Sequence, residues 1–199
     1  MIIGLTGGIA CGKSTVGAML ASRGALLVDA DRVAREVVLP GEPALAAVAA
    51  AFGQAVMQED GTLNRAKLGE TVFADSDKLR TLESILHPAI RSRMWEQMNR
   101  AKAEEPGRLI VADIPLLFET NQQGLYEGVL VVYVPREVQL ARLLLRNPGL
   151  TEAQALQRIE TQMDIERKKS LADWVIDNSG TIEQTERQVE TFWNGLVRA

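Results

Sequence analysis

A phosphate-binding loop is predicted near the start of the chain, at Gly7-Gly8-Ile9-Ala10-Cys11-Gly12-Lys13-Ser14. The segment matches the pattern G-x-x-x-x-G-K-[ST] and lies between a predicted strand and a predicted helix. Glycines let the backbone turn its N–H groups toward a phosphate, and the start of a helix adds positive potential. In such a loop the Lys13 ammonium reaches the β- and γ-phosphates and the Ser14 hydroxyl holds Mg²⁺. The sequence therefore predicts binding of a nucleoside triphosphate.

Carboxylates follow the next two predicted strands. ALLVDAD, starting at Ala25, predicts a strand that ends at Asp29 and Asp31. Residues two apart on a strand share one face, and ligands of open parallel sheets bind at the carboxyl ends of strands. A carboxylate there either accepts a hydroxyl proton, binds Mg²⁺ through water, or caps a helix. For Asp113, at the end of a third strand, and for Glu119, a role in orienting Mg²⁺ and a purely structural role both stay open.

The stretch 136–169 is locally basic. It holds seven basic and five acidic residues, a net charge of +2 in a chain whose net charge is −4. Arg142 and Arg146 are four residues apart and share one helical face. Phosphoryl transfer needs cations over the developing charge, and a segment that closes over the site strengthens them by excluding water. We therefore predict a lid at 136–170, with a solvated basic face as the alternative.

The single histidine and the single cysteine narrow the chemistry further. His87 stands alone, which argues against histidine-based catalytic triads and multi-histidine metal sites. Cys11 cannot form an intramolecular disulfide, which fits a reducing compartment. We interpret it as a small residue in a tight turn. The helix start beside it predicts a lowered thiol pKa and sensitivity to oxidation.

Length and composition favour one globular domain. The chain has 199 residues, of which 46% are hydrophobic and 24% charged, values that are typical of globular proteins. The net charge argues against sequence-blind binding of nucleic acid. The apolar runs are too short to span a bilayer, and no basic residue precedes Lys13 as in a signal peptide. We expect a cytoplasmic protein that binds no nucleic acid or membrane and shows no obligate protein partner.

Apolar runs separated by helical patterns predict an α/β fold with a parallel sheet and right-handed βαβ connections. Between the second and third strands, residues 32–105 contain no convincing strand and are predicted to form an inserted helical subdomain. The predicted strands of the core sheet fall in 1–31, 106–135 and 171–199. Helices are predicted over 44–52, 65–73, 77–103 with an interruption at Pro88, and 136–146, and after the capping-box patterns at Thr151 and Thr181.

With these motifs in place, the chain resembles the dephospho-coenzyme A kinase family of bacterial type. The resemblance covers nearly the whole chain, and the segments that carry it are IGLTGGIACGKSTV, VDADRVAREVVLPG, FGQAVMQEDGTLNRAKLGETVF, LHPAIR, IPLLFE and VIDNSG. The family resemblance implies a single P-loop nucleotide kinase domain over 1–199, with a parallel sheet flanked by helices. It also implies that 32–105 binds the acceptor and that 136–170 is a helical lid. The implied reaction is ATP- and Mg²⁺-dependent phosphorylation of the ribose 3′-hydroxyl of dephospho-CoA, the last step of coenzyme A synthesis.

The resemblance also implies roles for individual residues. Asp31 corresponds to the catalytic base, and His87 and Arg91 lie in a segment on the acceptor side. Arg142 corresponds to a lid arginine that acts in catalysis together with Lys13, and Asn178 lies near the expected adenine pocket. The residues that correspond to the ATP phosphate loop are Gly8, Ile9, Ala10, Cys11, Gly12, Lys13, Ser14, Thr15 and Val16.

Two other functions compete with this interpretation. A nucleoside monophosphate kinase is the nearest alternative enzyme, because the phosphate loop alone does not identify the acceptor. A switch GTPase would need D-x-x-G followed by N/T-K-x-D. Asp177-Asn-Ser-Gly180 fits the first pattern, but the 19 residues after it do not supply the second. The GTPase hypothesis is therefore rejected.

Overall fold

The structure of the protein is a computed structural model that describes residues 1–73 and 75–197. Residue 74 and residues 198–199 fall within the predicted segments 32–105 and 171–199 and lie outside the described residues. The described strands are β1 (Ile2–Gly7), β2 (Leu26–Asp29), β3 (Ile110–Asp113), β4 (Val129–Tyr133) and β5 (Trp174–Asp177). They form one sheet in the order β2-β3-β1-β4-β5.

The central strand of the sheet is β1, which pairs in parallel with β3 and β4, and β4 pairs in parallel with β5. Every residue of the three inner strands is buried, which is typical of strands covered by helices on both faces. The predicted parallel sheet is confirmed. One feature of its topology was not predicted: β3 lies between β1 and β2, because apolar runs indicate strands but not their spatial order.

Nine α-helices accompany the sheet within the described residues. Short 3₁₀ turns lie at Gln54–Val56 and Gln123–Leu125. The helices are α1 (Lys13–Ser22), α2 (Ala30–Glu36), α3 (Pro43–Phe52), α4 (Arg65–Phe73), α5 (Ser76–Glu104), α6 (Arg136–Arg146), α7 (Glu152–Glu160), α8 (Ile165–Ser170) and α9 (Ile182–Val197). No described helix has both the length and the hydrophobicity needed to cross a membrane.

The chain divides into two compact units. We call Met1–Val28 together with the residues from Ala101 onward the sheet unit, and Asp29–Arg100 the helical unit. In the sheet unit, the predicted capping box at Thr151 is present at the start of α7. Val189 and Phe192 of α9 are buried, whereas Ile182 is not. Ile182 is the first residue of its helix and is 52% exposed.

Apart from Asp29, the last residue of β2, the helical unit contains no named strand within its described residues, only an isolated antiparallel bridge between Met57 and Leu63. The prediction of helix over 65–73 is confirmed. The predicted interruption at Pro88 is wrong, because α5 runs through that position as one helix of 29 residues. A proline removes one backbone hydrogen bond from a helix. The turns before and after Pro88 keep enough hydrogen bonds to hold so long a helix together.

The end of β2 differs from its prediction. The strand stops at Asp29, and Asp31 lies in the first turn of α2. The Asp29 Oδ1 atom accepts hydrogen bonds from the backbone N–H groups of Asp31 and Arg32, at 2.8 and 3.2 Å. A capping carboxylate of this kind satisfies helix donors and ends the strand. The prediction that Asp31 ends a strand and shares a strand face with Asp29 is therefore wrong.

Candidate active site

The phosphate loop connects β1 to α1, as predicted. Ala10 and Gly12 adopt left-handed backbone conformations, with φ of 61° and 83°. In the part of the chain that the structure describes, the N–H groups of Gly12, Lys13 and Ser14 donate to no protein acceptor. Unsatisfied N–H groups at the start of a helix, together with the helix dipole, form an anion site. The loop therefore presents these backbone donors to a phosphate.

Other N–H groups of the predicted loop are used inside the protein. Thr15 and Val16 donate to the Gly12 carbonyl at 3.0 and 3.3 Å, and Cys11 donates to the Gly8 carbonyl at 3.2 Å. The Ile9 N–H donates to Gln162 Oε1 at 2.8 Å, and the Val16 side chain is fully buried. These residues give the loop its shape, and their N–H groups are not open to a nucleotide in this structure.

The side chains of Ile9 and Ala10 pack against an apolar cluster formed by α6 and α7. The buried members of that cluster are Leu143, Ala155 and Ile159. This contact explains why the loop contains Ile9. Its side chain buries apolar surface against the neighbouring helices and so stabilises the position of the loop.

Lys13 forms an ion pair with Asp113, the last residue of β3. The two charged groups are largely withdrawn from solvent, with side-chain exposures of 20% and 11%. Asp113 therefore lies at the phosphate loop and contacts the lysine that is predicted to bind phosphate. The sequence left two roles open for Asp113, the orientation of Mg²⁺ and a structural role. The ion pair adds a third role, the positioning of Lys13.

A cavity of about 460 Å³ opens at the start of α1. It brings together residues that the sequence analysis predicted from separate segments. Arg142 is half-buried there, and its guanidinium donates to the Asn178 carbonyl at 2.8 Å. The residues that line the cavity are Ala10, Gly12, Ser14, Thr15, Arg142, Arg146, Asn178, Gly180 and Ile182. Two arginines and open N–H groups make this a cavity for an anionic ligand.

The Asn178 side chain makes its hydrogen bonds within the protein. It is 8% exposed, its amide donates to the Cys11 carbonyl at 2.8 Å, and its Oδ1 accepts from the Thr185 hydroxyl at 2.8 Å. Both ends of the amide are therefore engaged by protein. Asn178 lines the cavity, but its side chain supports the loop.

Cys11 is fully buried. Burial raises the pKa of its thiol above the ordinary value, and this effect outweighs the hydrogen bonds and nearby cations that lower it. The expected lowering of the thiol pKa is therefore wrong, because loss of hydration disfavours the thiolate.

Two residues beneath the loop, Gln139 of α6 and Lys168 of α8, were not predicted from the sequence. Gln139 is 1% exposed and Lys168 is 0% exposed. The Lys168 ammonium lies 2.9 Å from Glu119 Oε1, and Glu119 also accepts the Met163 N–H at 2.9 Å. These two contacts support a structural role for Glu119. Full burial of a lysine cannot be predicted from a basic stretch, where the expectation is a solvated or ligand-facing charge.

In the helical unit, the predicted acceptor-side residues are exposed. The Asp31 carboxylate accepts no hydrogen bond from the described residues, whereas the Asp29 carboxylate is committed to its cap. His87 and Arg91 both lie on α5 and are exposed. Being four residues apart, they share one face of that helix. Asp31 therefore has an available carboxylate oxygen. On α5, His87 presents an imidazole to solvent and Arg91 presents a guanidinium.

The parallel sheet, the glycine-rich loop with its lysine and the arginine-lined cavity define a P-loop kinase. A family model for dephospho-CoA kinase matches residues 1–184. A relative from Shouchella clausii named dephospho-CoA kinase is 50% identical over 189 residues, which cover 95% of this chain and 95% of the relative. The chain belongs to the dephospho-CoA kinase family.

Solved structures agree with this assignment. The structure of the dephospho-CoA kinase from Campylobacter jejuni matches with a TM-score of 0.77 and 28% identity, covering 99% of this chain and 97% of the other. A structure from Thermus thermophilus matches with a TM-score of 0.81 and 35% identity, covering 98% and 97% of the two chains. The predicted fold class is confirmed.

Proposed function

We propose that this protein transfers the γ-phosphoryl group of ATP to the ribose 3′-hydroxyl of dephospho-CoA, giving CoA and ADP. The observation that carries the proposal is membership of the dephospho-CoA kinase family along nearly the whole chain, joined to an open phosphate loop. Both substrates are small molecules. A cytoplasmic location remains a prediction from the single cysteine.

The sheet unit supplies the groups that act on the triphosphate. The N–H groups of Gly12, Lys13 and Ser14 receive phosphate oxygens, and the Lys13 ammonium neutralises charge on the transferring group. Arg142 adds a second cation from the cavity wall. Since phosphoryl transfer asks the protein mainly for positioning and charge stabilisation, these few fixed donors account for most of the catalysis on the donor side.

The residues present fit a Mg²⁺ ion held jointly with the nucleotide. The Ser14 hydroxyl is exposed at the start of α1, and hydroxyl oxygen suits this ion. Among the described residues no group of three His, Cys, Asp or Glu could hold a metal. Mg²⁺ in kinases is bound by one or two protein oxygens, phosphate oxygens and waters, so Ser14 is sufficient as a first protein ligand. When bound there, the ion neutralises charge on the β- and γ-phosphates.

The helical unit supplies the groups for the acceptor. The free carboxylate of Asp31 takes the proton of the 3′-hydroxyl. The hydroxyl oxygen attacks the γ-phosphorus, and the bond between this phosphorus and the leaving oxygen of ADP breaks. The exposed Arg91 guanidinium suits the diphosphate of dephospho-CoA, and His87 shares its helix face. Segment 32–105 is accordingly proposed to bind the acceptor, and 136–170 to form the lid.

Acceptor analogues test the proposal at a single hydroxyl. The 2′-deoxy analogue of dephospho-CoA should be phosphorylated, and the 3′-deoxy analogue should not, with the product read by mass spectrometry and ³¹P NMR. Phosphorylation of the 3′-deoxy analogue would show that the enzyme attacks another position. Transfer to AMP at a rate matching that of dephospho-CoA would favour a nucleoside monophosphate kinase.

A further inference from the structure

Three buried side chains hold alternate carbonyl groups of the phosphate loop. The Lys168 ammonium donates to Gly7 O at 3.3 Å. The Gln139 amide donates to Ile9 O at 2.9 Å, and the Asn178 amide donates to Cys11 O at 2.8 Å. We call Lys168, Gln139 and Asn178 the loop anchors. They come from α8, α6 and the segment after β5, so three separate parts of the chain converge on one loop.

The anchors approach so closely that they require the loop's glycines. A Cβ atom at Gly8 would lie 2.2 Å from Gln139 Nε2, and a Cβ atom at Gly12 would lie 2.2 Å from Asn178 Nδ2. Real side chains do not tolerate such contacts, so any other residue would displace an anchor. Glycine at positions 8 and 12 therefore leaves room for the anchor side chains as well as for the ligand.

Stability alone gives a poor explanation for the anchors. Lys168 is fully buried beside Glu119, and well-packed apolar residues often stabilise a protein as much as a buried ion pair does. Gln139 Oε1 is buried without a partner among the described residues, as is Glu119 Oε2. Unpartnered buried polar atoms destabilise the folded state. These polar groups therefore have a cost that an apolar cluster would avoid.

The anchors control the orientation of the carbonyl groups in the phosphate loop. A carbonyl oxygen that turned toward bound phosphate would repel it, whereas N–H groups attract it. Donors beneath Gly7, Ile9 and Cys11 keep those three carbonyl oxygens bonded to the protein. The loop is then shaped before the nucleotide arrives, and electrostatic stabilisation of this kind is effective because it needs no rearrangement during the reaction.

We propose that Gln139, Asn178 and Lys168 are positioning residues that keep the carbonyl groups of the phosphate loop away from bound phosphate. They act on the nucleotide only through the loop backbone. Two of them lie within 136–170, so the first turn of α6 and α8 are fixed supports of the loop.

The decisive variant is Gln139→Met, which conserves volume, removes the donor to Ile9 O and also removes the unpartnered Oε1. The dissociation constant for ATP should rise about ten- to a hundredfold, as expected when a buried acceptor loses its donor. The dissociation constant for dephospho-CoA should stay unchanged. The melting temperature of the free protein should change little, because loss of the hydrogen bond to Ile9 O is offset by removal of the unpartnered Oε1. Amide hydrogen exchange should become faster at residues 8–13 and stay unchanged in α9.

Tyr133→Phe is the matched control. Tyr133 donates a hydrogen bond to Glu166 of α8, so this variant loses one contact of that helix and keeps all three loop anchors. It should lower the melting temperature and leave ATP affinity unchanged. Asn178→Ala removes a second anchor in another element. It should repeat the selective loss of ATP affinity, and it carries the test if Gln139→Met does not fold.

Two results would overturn the proposal. ATP affinity equal to that of the unmodified protein in a folded Gln139→Met or Asn178→Ala variant would show that the contacts are packing only. A loss of affinity for both substrates in proportion to a fall in melting temperature would show a general structural role.

Discussion

Replacing each of two neighbouring aspartates should separate catalysis from helix capping. Asp31→Asn keeps the size of the side chain and removes the basic oxygen that is proposed to take the hydroxyl proton. The transfer rate should fall by about two to four orders of magnitude, the usual contribution of a general base. This equals about 3–5 kcal/mol in the activation barrier. The folded state should be little affected, because the Asp31 carboxylate is exposed and accepts no hydrogen bond from the described residues.

Asp29 should show the opposite behaviour. Its carboxylate accepts two backbone N–H groups at the start of α2, so Asp29→Ala should cost about 1 kcal/mol of stability. For a chain of this size that corresponds to a fall in melting temperature of about 2–4 °C. Asp29→Asn is the matched control for Asp31→Asn. It also removes a carboxylate, but asparagine caps helices as well as aspartate does, so both rate and stability should be retained.

Rapid-quench measurement of single-turnover transfer to dephospho-CoA, with ATP affinity and melting temperature measured on the same samples, is the appropriate assay. Unchanged single-turnover transfer in Asp31→Asn would refute the assignment of the base. A large rate loss in Asp29→Asn would refute it equally, because the cap would then be the catalytic carboxylate. Rescue of Asp31→Asn by raised Mg²⁺ or by Mn²⁺ would indicate a role in metal binding instead.

Lys13→Ala should stay folded and lose about two to three orders of magnitude in transfer rate; full activity in a folded variant would remove Lys13 from the site. Arg142→Ala loses one hydrogen bond to Asn178 O, worth about 1 kcal/mol, so its turnover should fall far more than its stability, and unchanged turnover would contradict a catalytic role. Native Cys11 should be alkylated only as fast as the protein unfolds, because burial raises the pKa of its thiol; rapid labelling of the folded protein would show otherwise. The hydrogen bond to Glu166 raises the pKa of Tyr133 to about 12, so stabilisation by this contact is complete below about pH 10, the ordinary tyrosine pKa, and is lost as the pH rises toward 12. Unfolding free energies of the unmodified protein and Tyr133→Phe should converge over that range, and a constant difference would contradict the assignment.

Local patterns predicted much of the fold. The stretches 65–73 and 136–146 are helices with the predicted bounds, because their periodicity and their flanking residues agree. The inner strands were predicted as apolar runs, since strands buried on both faces need no alternation. The order of the strands depends on contacts between distant segments, so it could not be predicted from local sequence.

The site was predicted only where its residues belong to a motif or to the family resemblance. The loop's pattern identified Lys13 and Ser14, but it says nothing about Gln139 or Lys168, which are distant in sequence and lack any local signature. Their importance depends on three-dimensional burial. Asp31 was assigned to the wrong element, because a sequence such as VDAD fits a strand end as well as the first turn of a capped helix.

An acceptor screen is the decisive experiment for the proposed reaction. The purified protein is incubated with ATP and Mg²⁺ and one of three additions, which are dephospho-CoA, AMP or no acceptor, and ADP and phosphorylated product are quantified together. ADP should form only with dephospho-CoA, with one CoA formed for each ADP. ADP formation without an acceptor, or preferential phosphorylation of AMP, would contradict the proposed reaction.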